Sequence, residues 1–193
     1  DQEDFARMWR TILDQGGATT PTGYCPDEIK IYPTQLLENT QLYESWERGE
    51  YQPYTSEQLI DLIATIKPSI PSYCRVNRVI RDIPSEHVIE GNKRTSLRQD
   101  VLEEVARRGQ HCNCIRCREV RNEVVDPENL ILKDLVYYPA YAEEHFLSFT
   151  TPQDRLAGYL RLSLPLYAFP PLIGIQDDQI ETQLNEWESY FEE

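Results

Sequence analysis

Three cysteines within six residues constrain this chain more than any other stretch. They are Cys112, Cys114 and Cys117, in a Cys-x-Cys-x-x-Cys spacing. Three thiolates from one tight turn can reach a single tetrahedral centre, so the spacing predicts a site for one soft divalent ion. Zinc is the expected metal because it takes sulfur ligands and needs no redox partner. The alternative is a group of free or disulfide-prone thiols, although Cys112 and Cys114 are too close in sequence to pair comfortably.

The residues around the cluster favour thiolates but supply no obvious fourth ligand. Cationic neighbours lower the pKa of a thiol, and the arginines close in sequence are Arg107, Arg108, Arg116 and Arg118. His111 adjoins Cys112, but neighbouring residues in an extended chain point apart. Water, or a distant group such as His87 or His145, could complete the site.

Charge is distributed unevenly along the 193 residues. The net charge of −14 argues against a protein that binds nucleic acid over its whole surface. Residues 75–121 nevertheless carry 11 bases and 7 acids, whereas residues 122–193 carry 3 bases and 14 acids. A local basic face on an acidic protein fits a phosphate-binding surface. A solvated helix face with salt bridges to the acidic flanks is the alternative.

Composition places the chain among globular proteins with one large or two small domains. Apolar residues make up 40% of it, which is enough for a core. We expect no membrane segment, because no run of about 18 apolar residues occurs, and no signal peptide, because the first residues are acidic. Five clustered cysteines suit a reducing compartment, so we expect a cytoplasmic protein.

Helical and strand-like patterns alternate before the cysteines. Apolar spacing predicts helices over residues 4–13, 34–47, 55–66 and 96–108. The third of these opens with a capping box between Thr55 and Gln58. Strand-forming residues predict short strands over residues 28–33 and 73–80. After the cysteines, segments 129–141, 144–151 and 156–164 predict an antiparallel meander that begins a second domain. The acidic segment 177–193 has apolar residues at helical spacing.

The first predicted strand carries a polar side. Ile29 and Ile31 would face one side, and Lys30 and Tyr32 the other. A strand that ends with an outward lysine and tyrosine resembles the rim of an active-site barrel. A strand with one solvent face is the simpler interpretation.

Four stretches, taken in order, resemble one enzyme family. They are residues 26–33 (Pro-Asp-Glu-Ile-Lys-Ile-Tyr-Pro), the pair Tyr51 and Tyr54, residues 78–84 (Arg-Val-Ile-Arg-Asp-Ile-Pro) and residues 114–120 (Cys-Ile-Arg-Cys-Arg-Glu-Val). The ordered series resembles the catalytic subunit of Elongator, a family of radical-SAM and acetyltransferase enzymes that act on the wobble uridine of tRNA. The resemblance runs from about residue 4 to about residue 165.

The resemblance implies a two-part enzyme. In that family a barrel-like radical-SAM domain holds a [4Fe–4S] cluster and S-adenosylmethionine, and a GNAT-type domain binds acetyl-CoA. Together they build the 5-carboxymethyl group of uridine 34. The resemblance implies that Lys30 and Tyr32 are catalytic residues at the barrel rim. It also implies a structural zinc in the linker on the three cysteines, and a tRNA-binding surface to which we assign Arg75, Arg78, Arg81, Lys93 and Arg94.

Two family motifs are missing from the sequence. The three-cysteine motif for the iron–sulfur cluster is absent, and Cys25 and Cys74 cannot replace it. The glycine-rich acetyl-CoA loop should follow the third strand of the GNAT domain, but nothing after Leu164 provides it. We therefore expect a middle piece of the enzyme that performs neither half reaction by itself, which leaves open whether the chain is an enzyme.

The expected fold class is α/β with four parts. Residues 1–95 form the C-terminal part of a radical-SAM partial barrel, and residues 96–128 a helix and zinc-binding linker. Residues 129–165 begin a GNAT-like domain, and residues 166–193 form a divergent acidic tail. The expected partners are tRNA and the missing radical-SAM half or other subunits. A zinc-stabilised interaction module and a subunit of a split enzyme are the alternatives.

Overall fold

A computed structural model of the chain describes residues 1–9, 11–13, 19–21, 23–80, 83–139 and 142–165. The predictions for Arg81 and for the acidic segment 177–193 lie outside these residues. The helices are α1 (Gln2–Arg7), α2 (Gln41–Glu47), α3 (Ser56–Ile66), α4 (Leu97–Arg107) and α5 (Ile115–Arg118). The strands are β1 (Thr11–Leu13), β2 (Thr19–Pro21), β3 (Glu28–Lys30), β4 (Arg75–Arg78), β5 (Ile131–Tyr137), β6 (Ala142–Thr150) and β7 (Leu156–Pro165).

Helices α3 and α4 pack together, strands β3 and β4 pair in a small parallel sheet, and residues of all four elements meet in one hydrophobic cluster. Helix α3 begins at the predicted capping box: Thr55 accepts a bond from the Gln58 N–H, and the Gln58 side chain accepts one from the Thr55 N–H. Both helices bury one apolar stripe, as their sequence spacing predicts. The buried residues are Leu59, Ile63 and Ala64 on α3, and Leu97, Val101 and Val105 on α4.

Two predicted helices are shorter than their sequence patterns indicate. Helix α2 starts at Gln41 rather than residue 34, because the Leu36 backbone exchanges hydrogen bonds with Glu90 and Ile89 and is held extended. Thr40 provides the N-cap instead. The prediction of a helix over residues 4–13 is also wrong in its second half. Helix α1 ends at Arg7, and Thr11–Leu13 pairs with Thr19–Pro21 in a two-stranded sheet.

Strands β5, β6 and β7 form the predicted antiparallel meander. One face of β6 is buried, with Phe146, Ser148 and Thr150 turned toward the rest of the protein. The opposite face, which we call the outer face, exposes large apolar side chains: Leu132, Val136, Phe149, Leu160, Leu162 and Leu164. The α/β class is therefore confirmed. Among the described residues, no helix has the length and apolar character needed to cross a membrane.

The inner face of this sheet is held to the β3–β4 region by one arginine of β7. The Arg161 guanidinium donates hydrogen bonds to the Asp27 carboxylate, the Tyr73 carbonyl and the Tyr137 hydroxyl. The rings of Tyr73 and Tyr137 stack with centroids 3.8 Å apart. We call this group the Arg161 clamp. It links the sheet to the residues that precede β3 and β4, where Asp27 and Tyr73 lie.

Candidate metal centre and basic surface

The structure brings the three predicted cysteines together. The sulfur atoms of Cys112, Cys114 and Cys117 all lie within 4.8 Å of one another. Helix α4 ends at Arg107 and the chain turns at Gly109, whose φ of +69° favours glycine. Cys114 then caps the short helix α5, on which Cys117 lies one turn later. Cys112 and Cys114 are buried and Cys117 is half-buried.

The backbone of this loop is fixed from two sides. The Ile115 N–H donates to the Cys74 carbonyl at 3.0 Å, which ties the loop to the start of β4. On the other side, the Arg155 guanidinium donates to the Cys117 carbonyl at 3.0 Å, immediately before β7 begins. The cysteine loop therefore lies at the junction between the helical part and the sheet.

Lys67, which the sequence analysis did not single out, completes the cluster. Its side chain is fully buried at the end of helix α3. Its Nζ atom donates to the sulfur of Cys112 at 3.3 Å and to that of Cys117 at 3.7 Å. A lysine is almost never fully buried without a partner. The thiols are the hydrogen-bond partners of this amine in the described part of the chain.

The local electrostatics separate two kinds of thiol. Hydrogen bonds from Cys112 and Cys117, with the nearby Lys67 charge, hold the pKa of Cys114 well below its usual range. Burial instead raises the pKa of Cys74 to about 12, and the negative charge of Cys114 contributes. Cys74 is therefore a neutral core thiol. Within the cluster, the hydrogen bonds that lower the pKa of Cys114 raise the pKa of Cys117, so Cys114 is the favoured thiolate of this pair.

The candidate fourth ligands from the sequence analysis do not lie at this cluster. His145 is on the outer face of the sheet, where its two ring nitrogens contact Asp134 at 2.8 Å and Glu143 at 3.0 Å. His87 is exposed in a short 3₁₀ helix. Among the described residues, the three cysteines form the only group of histidine, cysteine or acidic ligands with the spacing of a metal site.

Lys30 and Tyr32 lie where β3 ends. Ile29 and Ile31 pack against the core, and Lys30 and Tyr32 are exposed. Lys30 pairs in register with Arg78 of the parallel strand β4. No hydrogen bond or ion pair of Lys30 occurs between residues that the structure describes. The strand end therefore presents a lysine and a tyrosine to solvent, and their catalytic role stays a prediction.

Most arginines of the basic region are paired with carboxylates. Arg75 pairs with Glu119, and Arg94 contacts Asp100 at 3.2 Å. Arg78 and Lys93 are exposed. The paired arginines also include Arg107, Arg108 and Arg118. Part of the basic stretch therefore forms salt bridges to acidic neighbours, as one of its two interpretations predicts.

Comparison with known proteins shows what these elements resemble. Residues 26–107, which include β3, β4, α3 and α4, match the radical-SAM C-terminal domain family. The chain is 38% identical over 157 residues to the tRNA uridine(34) acetyltransferase of Methanocaldococcus infernus, and 40% identical over 152 residues to that of Dehalococcoides mccartyi. It is also 40% identical over 141 residues to Elongator complex protein 3 of Schizosaccharomyces pombe. Over most of its length the chain is a homologue of Elongator catalytic subunits.

A solved structure supports this relationship. The archaeal M. infernus Elp3, solved with residues 1–46 deleted, superposes with a TM-score of 0.74 and 34% identity, over 91% of this chain and 40% of that one. The matches above cover 78%, 77% and 70% of this chain but 29%, 33% and 26% of those relatives. The chain therefore spans about a third of the length of its curated relatives.

The match to a radical-SAM family implies an iron–sulfur cluster. The three cysteines described above do not fit such a cluster. Thiolates that each bind a different iron of a [4Fe–4S] cubane stand further apart than thiolates that bind one ion. The compact trio matches a single tetrahedral metal, for which three thiolates are common ligands. Within the described residues, no second cysteine group offers a ligand set for the cluster.

Proposed function

We propose that this chain supplies part of an enzyme that modifies uridine 34 of tRNA. In the complete enzyme, acetyl-CoA and a radical-SAM centre would together build the 5-carboxymethyl group. The observation that carries the proposal is sequence identity of 38–40% to tRNA uridine(34) acetyltransferases over more than three quarters of this chain. That similarity continues from the radical-SAM C-terminal region through the cysteine loop into the sheet.

In this proposal each region contributes one element. Residues 1–95 complete the radical-SAM domain, and residues 129–165 supply the first strands of a GNAT-like domain. Residues 96–128 hold a structural zinc on Cys112, Cys114 and Cys117. Support for a linking role comes from the hydrogen bonds that join this loop both to β4 and to the residue preceding β7. The zinc would fix the two domains relative to each other and take no part in hydrolysis.

The basic residues of β4 and the following turn would contact the tRNA. The unpaired lysine is the strongest candidate, because Lys93 is exposed and has no carboxylate partner within the described residues. Arg75 and Arg94 would have to exchange their carboxylates for phosphates, so we expect them to contribute less. Arg78 is exposed on the same strand as Arg75, and Arg81 belongs to the same predicted surface. Lys30 and Tyr32 would lie beside the reacting uridine.

A salt-dependent binding assay tests this proposal. We expect the metal-replete chain to bind tRNA with an affinity that falls as salt rises, since phosphate contacts release counterions. The Lys93→Met variant should weaken binding and reduce the logarithmic salt slope by about 1. Arg107→Met is the matched control, because it also removes one exposed charge but Arg107 pairs with Glu104. Absence of salt-sensitive tRNA binding would contradict the proposal, and so would equal effects of the two variants.

The exposed apolar outer face favours one second candidate, an interaction module stabilised by zinc. Apolar patches of this kind commonly mark surfaces for protein partners. Purification of the chain with one stoichiometric protein partner and no tRNA would favour this function. If that partner carried the missing cysteine motif, the chain would be a subunit of a split enzyme.

A further inference from the structure

We propose that Lys67 is the fourth ligand of the metal centre. The inference rests on the proposed zinc site and identifies the position that three cysteines leave open. The side chain that fills this position is a primary amine, which can bind zinc through its nitrogen lone pair once it has lost a proton. The site would then be closed, with three sulfur ligands and one nitrogen, as structural zinc sites are.

Distances between the donor atoms carry the inference. A tetrahedral zinc with bonds of about 2.3 Å to sulfur and about 2.05 Å to nitrogen separates these donors by about 3.5 Å. The Nζ atom of Lys67 lies 3.3 Å from the sulfur of Cys112 and 3.7 Å from that of Cys117. Both values fall close to the edge length of such a tetrahedron. The three sulfurs, within 4.8 Å of one another, supply the other corners.

Burial excludes water from this position. Lys67 and Cys114 are both 0% exposed, and Cys112 is 7% exposed. Lys67 reaches the cluster because the α3 helix ends just before it and the chain enters a 3₁₀ turn with Pro68. The turn is packed in the core through Ile70. The amine is therefore held in place by the fold before any metal binds.

Charge and protons balance in this arrangement. Relative to their fully protonated forms, the three thiols and the ammonium group have lost four protons once the metal is bound. Three thiolates, a neutral amine and a divalent ion leave one negative charge. The partly buried Arg98 guanidinium, fixed by its bond to the Val76 carbonyl at 2.7 Å, lies within electrostatic reach of all three thiols and can balance that charge. The competing arrangement keeps Lys67 as an ammonium that donates hydrogen bonds to metal-bound thiolates.

Cadmium-113 NMR on the full chain distinguishes these arrangements. The chain has four lysines, which are Lys30, Lys67, Lys93 and Lys133. With ¹⁵N at Nζ and one ¹¹³Cd per chain, we expect one lysine nitrogen signal to be split by a direct cadmium–nitrogen bond. Single Lys→Arg substitutions at the other three positions should leave the splitting in place. The unsubstituted chain shows whether a lysine binds the metal, and the three substitutions at exposed lysines assign it by elimination, so a Lys67 variant that fails to fold would not affect the test.

Lys67→Met provides the second measurement. Loss of a supporting contact in a metal site typically weakens binding about 10–100-fold. Loss of a direct ligand should exceed that, so we expect zinc affinity, measured by competition with a chelator, to fall by more than about 100-fold. Lys133→Met, at an exposed lysine paired with Asp154, should leave it unchanged.

The outcomes separate this inference from the function proposed above. One cadmium per chain without a split lysine signal would overturn the role of Lys67 and leave the cysteine site intact. Failure of the folded, reduced chain to bind cadmium or zinc would overturn both the lysine ligand and the metal centre. A split signal that persists when Lys67 is replaced by arginine would assign the ligand to another lysine and also overturn the inference.

Discussion

The cysteine-bearing region and the three-stranded sheet bury their apolar residues in opposite ways. We call the first the junction core: helices α3 and α4, strands β3 and β4, and the cysteine loop. Within the described residues, the main buried cluster takes its members from the junction core and from residues that flank β3 and β4, with Phe146 and Leu156 added by the sheet. The sheet covers one face and leaves Leu132 and Leu160 about 60% exposed on the other.

The difference shows what each region depends on. The junction core buries most of its own apolar residues, and its buried polar groups include the cysteines, Lys67 and Arg118. The sheet depends on one-sided docking through the Arg161 clamp and the bonds of Arg155. Because an exposed apolar face adds little stability, the sheet should be the weaker of the two regions unless a partner covers it. Four perturbations test this comparison.

Metal removal should have the largest effect, and it should begin in the junction core. A metal at 1,000 times its dissociation constant stabilises the native state by about 4 kcal/mol. For a chain of this length, its loss corresponds to a fall in Tm of about 8–16 °C. We expect chelation and the Cys114→Ser substitution to give similar falls in calorimetry. Hydrogen exchange should rise first in α3 and α4.

The combination of the two treatments is the control. A chelator should not destabilise Cys114→Ser any further, since the metal is already lost. A chain that carries one zinc but melts identically with and without the chelator would contradict a structural metal in the junction core.

Two phenylalanines on β6 give a matched comparison of the two faces of the sheet. Phe146 is 1% exposed and Phe149 is 48% exposed. Phe146→Ala should cost about 3–5 kcal/mol of unfolding free energy, because it leaves a cavity between the sheet and the junction core. Phe149→Ala should cost about 1 kcal/mol or less, since about half of that side chain already contacts solvent. Urea denaturation measures both, and equal costs would mean that the outer face is covered in solution.

Loss of the Arg161 clamp should have the third largest effect on the unfolding free energy. Arg161→Met keeps much of the side-chain volume but removes the donor to the Tyr73 carbonyl and the cationic partner of Asp27, whose carboxylate keeps the hydrogen bond from the Tyr137 hydroxyl. We expect a loss of about 2 kcal/mol, because the bonds are charge-assisted but Asp27 is partly exposed. Arg107→Met, which removes an exposed pair within one helix, should cause no measurable loss. If both variants unfold at the same urea concentration, the clamp does not hold the regions together.

Local sequence patterns predicted the features that depend mainly on interactions between residues close in sequence. The cysteine spacing, the Thr55 capping box and the three consecutive strands needed only neighbouring residues. Helix α2 was predicted too long because the pairing of Leu36 with residues over 50 positions away overrides its helical spacing. The Asp27–Arg161 contact spans 134 positions, and no short pattern indicates it.

Lys67 left a weak signal that was overlooked. Leu59, Ile63 and Lys67 follow one another at four-residue intervals, so they share one face of α3 as it continues into the next turn. The first two are buried. A lysine that continues a buried stripe needs a partner, and in the fold that partner is the cysteine cluster. The sequence contained the lysine and the thiols, but only the fold brings residues 45 positions apart together.

The smallest expected effect is the pH dependence of the sheet. Hydrogen bonds from His145 to Asp134 and Glu143 raise the pKa of the imidazole above its usual value of 6.5. A pKa that is higher in the folded state stabilises the fold fully below the unfolded pKa, and this stabilisation is lost as pH rises through the folded pKa. The sheet should therefore be more stable at pH 6 than at pH 9. Tyr138 also faces this group, since its hydroxyl donates to Glu143 at 2.9 Å.

The His145→Gln substitution should remove this part of the pH dependence. The measurement is the change in the urea midpoint between pH 6 and pH 9, in the parent chain and in the variant. The contribution of the cysteines to that change is the same in both chains. A variant with the same pH dependence as the parent chain would mean that the histidine adds nothing to the sheet, whose stability would then come from its inner face alone.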